Sequence, residues 1–250
     1  GHAPKELERL AVQARQIDPI TRQFLVEAGV VPGMRVLDVG SGAGDVAFLI
    51  AGLVGPAGEV VGTDRSAAAL ATARARASER NLSNVSFREG DPGLLTFERP
   101  FDAAVGRYVL MFQDDPVAML RGLARHVRPG GVIAFHEVDW ANVRSHPTVA
   151  AYEQCCKWLV ETMKRSGANT RMGIELQSAF LAAGIPAPSL RIHAVIGGGS
   201  NAHDAVHLKT DLAQILAPQM VRLGVATAEE LAIDTLADRI IREMTGRNAV

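Results

Sequence analysis

The chain has 250 residues, of which 48% are hydrophobic, and its 26 Lys and Arg residues nearly balance 27 Asp and Glu residues to give a formal net charge of -1. That length and apolar content are enough to bury a substantial core. The balanced charge disfavours nucleic acid or an anionic membrane as the partner, so a small molecule is expected instead.

The first 140 residues alternate between helix and strand patterns. Two short helical patterns occupy residues 1–30 and precede the first strand. Strand patterns follow at 34–39, 59–63, 85–88, 101–105 and 132–138, with helix patterns at 45–54, 66–80 and 116–127. Because strands joined by helical crossovers lie parallel, the predicted fold class is α/β, a doubly wound, mostly parallel sheet.

The pattern changes after residue 145. Long helices are predicted to about residue 165 and over 171–183, followed by a strand at 190–196, the run Gly197 to Ser200 and two further helices. The last helix begins with the capping box Thr227-Ala228-Glu229-Glu230. We interpret the segment from about 140 to 187 as a helical substrate cap.

A glycine loop follows the first strand, in the sequence Val36-Leu37-Asp38-Val39-Gly40-Ser41-Gly42-Ala43-Gly44-Asp45. Glycines let a ligand approach the backbone closely, and the following helix presents unpaired N–H groups to an anionic group. An ordinary strand-to-helix turn has the same local pattern, so the loop alone is weak evidence of a site.

Acidic residues end the next two strands. Asp64, twenty residues beyond Gly44, is placed to accept both hydroxyls of a ribose, and Asp91 is placed to accept from an adenine amino group. Each also has a local interpretation, Asp64 as a helix-start residue and Asp91 as a turn residue before proline. The carboxyl ends of parallel strands share one edge, so Asp38, Asp64, Asp91 and Arg107 would line one crevice.

Together these segments resemble the class I S-adenosylmethionine-dependent methyltransferases of small-molecule type. The similarity covers roughly residues 30 to 140, and Gly90-Asp91 after the third strand and Pro129-Gly130-Gly131 before the fifth also carry it. The resemblance implies a Rossmann-like methyltransferase fold, S-adenosylmethionine as the cofactor, and an enzyme that methylates a small molecule.

The resemblance also implies roles for individual residues. The glycine loop would lie under the methionine part of the cofactor, Asp64 would bind ribose, Asp91 would meet adenine, and the residues after the fourth strand would contact the methionine amino end. Residues Gln13, Gln16 and Arg22 are candidates to cover its carboxylate. The predicted cofactor-binding residues are Asp38, Gly40, Ser41, Gly42, Gly44, Asp64, Arg65, Gly90, Asp91, Pro92, Arg107 and Tyr108.

The resemblance predicts a single domain over residues 1–250. Residues 1–30 would form a helical lid, 31–140 the cofactor-binding core, and 141–250 the substrate cap and the C-terminal part of the sheet. The family's sheet usually ends in a hairpin whose seventh strand lies beside the fifth. Only Thr245 to Val250 follow the last predicted helix, so either the sequence is cropped after Val250 or that strand is missing from it.

Two rival functions share the predicted crevice. A nicotinamide-dependent oxidoreductase is disfavoured because its fingerprint is G-x-G-x-x-G, whereas the loop here is G-x-G-x-G. Asp38 also suits an ammonium group better than a phosphate. A non-catalytic module that binds the same cofactor is the second rival, and fold alone does not exclude it.

Titratable groups follow the fifth strand. His136 or Asp139 could take a proton from a hydroxyl or amine acceptor, although methyl transfer depends mainly on holding donor and acceptor together. Local bonding at the strand end is an equally good interpretation of both. Glu137 resembles an acid common at this position in the family, with a structural or cofactor-side role.

The atom that accepts the methyl group stays open among oxygen, nitrogen and carbon. The acceptor molecule is expected to be a secondary metabolite or a lipid-like quinone.

The remaining features concern location and partners. Cys155 and Cys156 are adjacent in a predicted helix and do not suit an ordinary disulfide, which fits a reducing cytoplasm. No apolar run reaches the roughly 18 residues of a membrane span, and no signal peptide is expected.

His203 and His207 lie one turn apart without a third ligand, so no metal is predicted. A homodimer is a possible assembly.

Overall fold

The computed structural model describes residues 17–198 and 202–250. Gln13 and Gln16, together with Gly199 and Ser200, lie outside the described residues. The described chain divides into two compact units, the first comprising residues 17–138 and 172–191 and the second residues 139–171 and 192–250. That the whole chain is a single domain stays a prediction.

The first unit contains a five-stranded sheet with the strand order β3-β2-β1-β4-β5, in which every neighbouring pair is parallel. Its strands are β1 (Arg35–Val39), β2 (Glu59–Asp64), β3 (Val85–Glu89), β4 (Phe101–Arg107) and β5 (Val127–His136). The register sets Val39 beside Thr63 on one side and Gly106 on the other. The predicted doubly wound α/β class is confirmed.

Helices connect these strands. The first unit contains α1 (residues 17–27), α2 (Asp45–Val54), α3 (Ala67–Glu79), α4 (Pro116–Ala124), α6 (Met172–Ala182) and a 3-10 turn at Leu110–Phe112. Local signals begin two of them: the Ser66 hydroxyl accepts from the N–H of Ala69 at 3.2 Å, and Asp115 accepts from Ala118 at 2.8 Å before Pro116. The core lies between β1 and α2, where Val36, Ile50 and Val54 are fully buried.

The second unit is helical. It contains α5 (Ala150–Arg165), α7 (Ala202–Arg222), α8 (Ala228–Leu231) and α9 (Ile233–Arg247). Its core gathers apolar residues from each of these helices, including Leu159, Val206, Met220, Leu231 and Ile240. The predicted capping box is present at Thr227, but the helix that it begins ends at Leu231, because Ala232 takes a left-handed conformation with φ 39° and α9 starts anew.

The predicted strand at 190–196 is wrong. Within the described residues this segment has no regular secondary structure, and Ile192 and Ile196 are 87% and 71% exposed. An alternating apolar pattern forms a strand only where a neighbouring strand accepts its hydrogen bonds, and no described strand pairs with it. Consequently residues 141–250 add no strand to the described sheet, and α6 of the predicted cap belongs to the first unit.

None of the helices that the structure describes is long and apolar enough to cross a membrane.

Candidate functional site

The glycine loop between β1 and α2 depends on left-handed backbone. Gly40, Gly42 and Gly44 have φ values of 66°, 51° and 91°. A Cβ at Gly40 would lie 2.7 Å from Val109, and one at Gly44 would lie 2.7 Å from Phe48, whereas a Cβ at Gly42 meets nothing within 4 Å. The outer two glycines are therefore required by packing, and open space lies beside the middle one.

Asp64 joins this loop to the end of β2. Its Oδ2 accepts from the N–H of Gly42 at 2.9 Å, and its Oδ1 accepts from the N–H of Ser66 at 2.8 Å. Each carboxylate oxygen can accept a further hydrogen bond. The predicted neighbourhood of Asp64 and the glycine loop is therefore observed, and the side chain is only partly buried.

The loop after β3 lies beside Asp64 as well. The N–H of Gly90 donates to the backbone oxygen of Asp64 at 2.9 Å. Asp91 accepts from the N–H of Gly93 at 2.8 Å and from the exposed guanidinium of Arg65 at 2.5 Å. Two predicted site residues, Arg65 and Asp91, thus form an ion pair that was not predicted from the sequence.

Asp38 lies beneath the glycine loop and is 1% exposed. Neither of its carboxylate oxygens has a hydrogen-bond partner of good geometry in residues 17–198 and 202–250. Burial raises its pKa to about 8, against the lowering effects of the Arg107 guanidinium and the backbone N–H of Ala47. A buried acid without a donor is costly unless a cationic group approaches it.

Arg107 and Tyr108 follow β4. The guanidinium of Arg107 is 9% exposed and donates to Asp18 at 2.7 Å and to the Thr21 hydroxyl at 3.1 Å, both on α1. Tyr108 has φ 57°, its N–H donates to the backbone oxygen of His136 at 2.9 Å, and burial raises its pKa to about 12. The side chain of Arg107 is thus engaged by α1, a long-range pairing that no sequence pattern indicated.

His136 ends β5, beside the same helix. Its Nδ1 lies 3.2 Å from the Thr21 hydroxyl oxygen, and the ring of Tyr108 lies 5.3 Å away between centroids. Asp139 belongs to the second unit, where it accepts from the N–H of Ala141 at 2.8 Å. The two predicted catalytic residues are thus each held by local contacts.

Glu137 has a structural contact that sequence reasoning did not specify. Its carboxylate accepts from the N–H groups of Val109, Leu110 and Met111 at 2.9, 2.8 and 3.4 Å, at the start of the 3-10 turn. Burial raises its pKa to about 7, although these bonds act in the opposite direction. Glu137 therefore fixes the loop after β4, which also carries Tyr108.

A parallel sheet with this strand order, a glycine loop after its first strand and an acid ending its second defines an α/β protein that binds a nucleoside cofactor at the carboxyl edge. Comparison of the sequence with known protein families identifies the family. The profile of the methyltransferase domain family matches residues 31–184, and the chain belongs to that family.

Curated relatives carry related names. A demethylmenaquinone methyltransferase of Lactococcus lactis is 31% identical over 144 residues, which cover 57% of this chain and 55% of that protein. A 2-phytyl-1,4-naphtoquinone methyltransferase of Synechococcus elongatus is 44% identical over 103 residues, 40% of this chain and 43% of that protein. The aklanonic acid methyltransferase DauC of a Streptomyces species is 36% identical over 129 residues, 51% and 58% of the two chains. The chain spans about half the length of these relatives.

Solved structures share the fold. A SAM-dependent methyltransferase from Aquifex aeolicus superposes with a TM-score of 0.56 at 20% identity, over 79% of this chain and 93% of that one. The [4+2]-cyclase SpnF superposes with a TM-score of 0.55 at 22% identity, over 93% and 78% of the two chains. The predicted membership of the class I S-adenosylmethionine-dependent methyltransferases is confirmed, and S-adenosylmethionine is the cofactor of this family.

The residues present fit that cofactor. The methionine part carries an ammonium group, which is the kind of partner that the buried Asp38 carboxylate lacks among the described residues. The nucleoside part carries ribose hydroxyls, which the Asp64 oxygens can accept while they hold Gly42 and Ser66. Open space beside Gly42 allows a ligand to approach the backbone between these two acids.

Elsewhere, within the part of the chain that the structure describes, no group of three or more His, Cys, Asp or Glu side chains is arranged to hold a metal ion.

Proposed function

We propose that this chain transfers the methyl group of S-adenosylmethionine to a small-molecule acceptor. The observation that carries the proposal is the pairing of two differently placed acids around one glycine loop: Asp38 is buried without a hydrogen bond of good geometry among the described residues, and Asp64 accepts from Gly42. Their different settings suit the two chemically different ends of this cofactor. The names of the curated relatives, which refer to quinones and to aklanonic acid, support a small acceptor, and we extend this to a secondary metabolite.

The proposed cofactor-binding residues keep the roles given by the resemblance. Asp38 would hold the ammonium group, Asp64 the ribose hydroxyls, and Asp91, oriented by Arg65, the adenine side. The backbone of the glycine loop and of the loop after β4 would complete the set, which comprises Asp38, Gly40, Ser41, Gly42, Gly44, Asp64, Arg65, Gly90, Asp91, Pro92, Arg107 and Tyr108. When bound, the cofactor supplies a methyl group attached to a sulfonium, from which a neutral thioether departs as a good leaving group.

The protein's contribution is chiefly to position the reactants. Holding donor and acceptor in a productive geometry supplies much of the acceleration of a displacement reaction. Glu137 supports this by fixing the backbone of the loop after β4 through three N–H groups. Arg107 ties α1 to the carboxyl end of β4, which is consistent with a lid role for the residues before β1.

His136 is proposed as the general base for an acceptor that must lose a proton. The Thr21 hydroxyl lies 3.0 Å from the backbone oxygen of Ile17, to which it can donate, accepts from Arg107 at 3.1 Å, and lies 3.2 Å from His136 Nδ1. The imidazole can take a proton on whichever ring nitrogen carries the lone pair. Asp139 is the alternative base, although it lies in the second unit.

A turnover assay separates an enzyme from a non-catalytic cofactor-binding module. We expect the purified chain to transfer label from methyl-labelled S-adenosylmethionine to a member of a panel of hydroxylated naphthoquinols and aromatic polyketides. His136→Gln should lower turnover by about 100-fold, the usual contribution of a general base, while leaving cofactor affinity unchanged. A chain that binds S-adenosylhomocysteine but labels no acceptor would instead support the binding module, since this fold also carries other activities.

A cytoplasmic location and a homodimeric assembly stay predictions.

A further inference from the structure

The helical second unit holds a lysine in an unusual setting. Lys209, on α7, places its Nζ 4.2 Å from the ring centroid of Trp140. The other titratable groups close enough to interact electrostatically with it are the thiols of Cys155 and Cys156 on α5. Burial raises the pKa of both thiols, that of Cys155 to about 12, so both are neutral at physiological pH.

The ammonium group has no counter-charge among its described neighbours. Lys209 forms no ion pair or hydrogen bond with any residue in 17–198 or 202–250, and burial lowers its pKa. The acids of α5 have other partners: Glu153 lies 3.4 Å from the Ser145 hydroxyl, and Glu161 forms an ion pair with Arg165 at 2.6 Å. An ammonium group without an anionic partner in such surroundings is unfavourable, and a ligand anion would relieve that cost.

A second donor lies in the same cluster. The indole Nε1 of Trp140 is buried and has no hydrogen-bond partner among the described residues. Because Lys209 Nζ lies against the ring that carries this nitrogen, the two donors are near neighbours. Both can donate and neither can accept, so together they match a group with two acceptor oxygens.

A pocket of about 610 Å³ adjoins the cluster, within the size range of small-molecule sites. Two of the three neighbours of Lys209, Trp140 and Cys156, line it. Its wall includes apolar side chains suited to a flat ring, namely Trp158, Val143, Val160 and Val225. The charged side chains of the wall balance, with two bases and two acids: Arg144, Lys157, Glu153 and Glu161.

We propose that Lys209 and Trp140 bind the carboxylate of a planar aromatic small molecule whose ring occupies this pocket. A single ammonium and one indole N–H match the charge and the two oxygens of a monoanion. The inference goes beyond the proposed function, because Lys209, Trp140 and the pocket all lie in the second unit.

The test uses the fluorescence of Trp140. The chain has 2 tryptophans, so in the Trp158→Phe variant, which keeps an aromatic ring in the pocket wall, all tryptophan emission comes from Trp140. This variant is titrated with 4-nitrobenzoate, a planar quencher that carries a carboxylate, and with the neutral 4-nitrobenzamide. We expect saturable quenching by the carboxylate. The amide should bind at least about 10-fold more weakly, because it cannot form a charge-assisted hydrogen bond with the ammonium group.

Variants at Lys209 test the ammonium itself. In the same background, Lys209→Met should weaken 4-nitrobenzoate binding about 30-fold and leave amide binding unchanged, because it removes the buried cation but keeps an unbranched apolar stem. Lys164→Met, an exposed lysine at the end of α5, is the matched control and should leave both affinities unchanged. Lys209→Gln serves as a second variant if the methionine variant does not fold.

Each outcome decides the inference. Three results would each overturn it. The Trp158→Phe variant with Lys209 intact could bind 4-nitrobenzoate and 4-nitrobenzamide with equal affinity, or show no saturable quenching. Lys209→Met could also leave carboxylate binding unchanged. Binding of S-adenosylhomocysteine is measured on the same samples. If that binding persists while the carboxylate preference is absent, only this inference fails, whereas its loss in the unsubstituted chain contradicts the proposed function.

Discussion

Asp64→Ala is expected to weaken the binding of S-adenosylhomocysteine by at least about 100-fold. The carboxylate holds the N–H groups of Gly42 and Ser66 at 2.9 and 2.8 Å and is proposed to accept both ribose hydroxyls. Hydrogen bonds to a charged group contribute about 1.5–3 kcal/mol each, so losing two of them accounts for that factor. Titration calorimetry of the variant and the parent chain measures it.

Two controls separate ribose binding from loss of structure. Asp114→Ala makes the same charge change at an exposed position before α4 and should leave affinity unchanged. Asp64→Asn keeps one acceptor oxygen for the backbone, so it should melt close to the parent chain yet bind more weakly. An Asp64→Ala protein that binds within about threefold of the parent would contradict the role given to this carboxylate.

Cofactor binding is expected to release a proton from Asp38. Its pKa is about 8 in the ligand-free protein, so at pH 7 the carboxyl is mostly protonated. An ammonium group beside it favours the ionised form, and the proton must leave. Raising the pH towards 8 should therefore strengthen binding by up to about 10-fold per pH unit, and the rise should stop above that pKa.

The released proton is measured by calorimetry of S-adenosylhomocysteine binding in two buffers with different ionisation enthalpies. Asp38→Asn cannot ionise, so its affinity should be weaker and independent of pH over the same window. The ligand-free protein supplies a further readout. Because the pKa of Asp38 in the folded protein lies above the ordinary aspartate value of 3.8, the free energy of unfolding should fall as pH rises from that value to about 8, and the substitution should remove this decline. A flat affinity profile with no proton release in the parent chain would refute the proposed ion pair.

The fold of residues 31 to 140 could be predicted because its signals are local. The central strands β1, β2 and β4 are short and largely buried runs, and the helices after β2 and β4 begin at a capping side chain, Ser66 and Asp115. The glycine loop and Asp64 were also placed correctly relative to each other, since parallel strands bring their carboxyl ends to one edge.

The remaining features depend on contacts between distant residues. The strand expected at 190–196 has the right composition but no described strand beside it. The engagement of Arg107 by Asp18 joins residues 89 positions apart, and that of Arg65 by Asp91 joins residues 26 apart. Neither leaves a periodic trace in the sequence. The break at Ala232 is equally hidden, because alanine normally continues a helix.

The central claim is that the carboxyl edge of this sheet binds an adenosyl amino acid, with Asp38 and Asp64 at its two ends. The most direct measurement is titration calorimetry of the unsubstituted chain with S-adenosylhomocysteine and, separately, with NAD. We predict a dissociation constant in the micromolar range for the first and no detectable binding of the second. Binding of NAD, or failure to bind S-adenosylhomocysteine, would contradict the account.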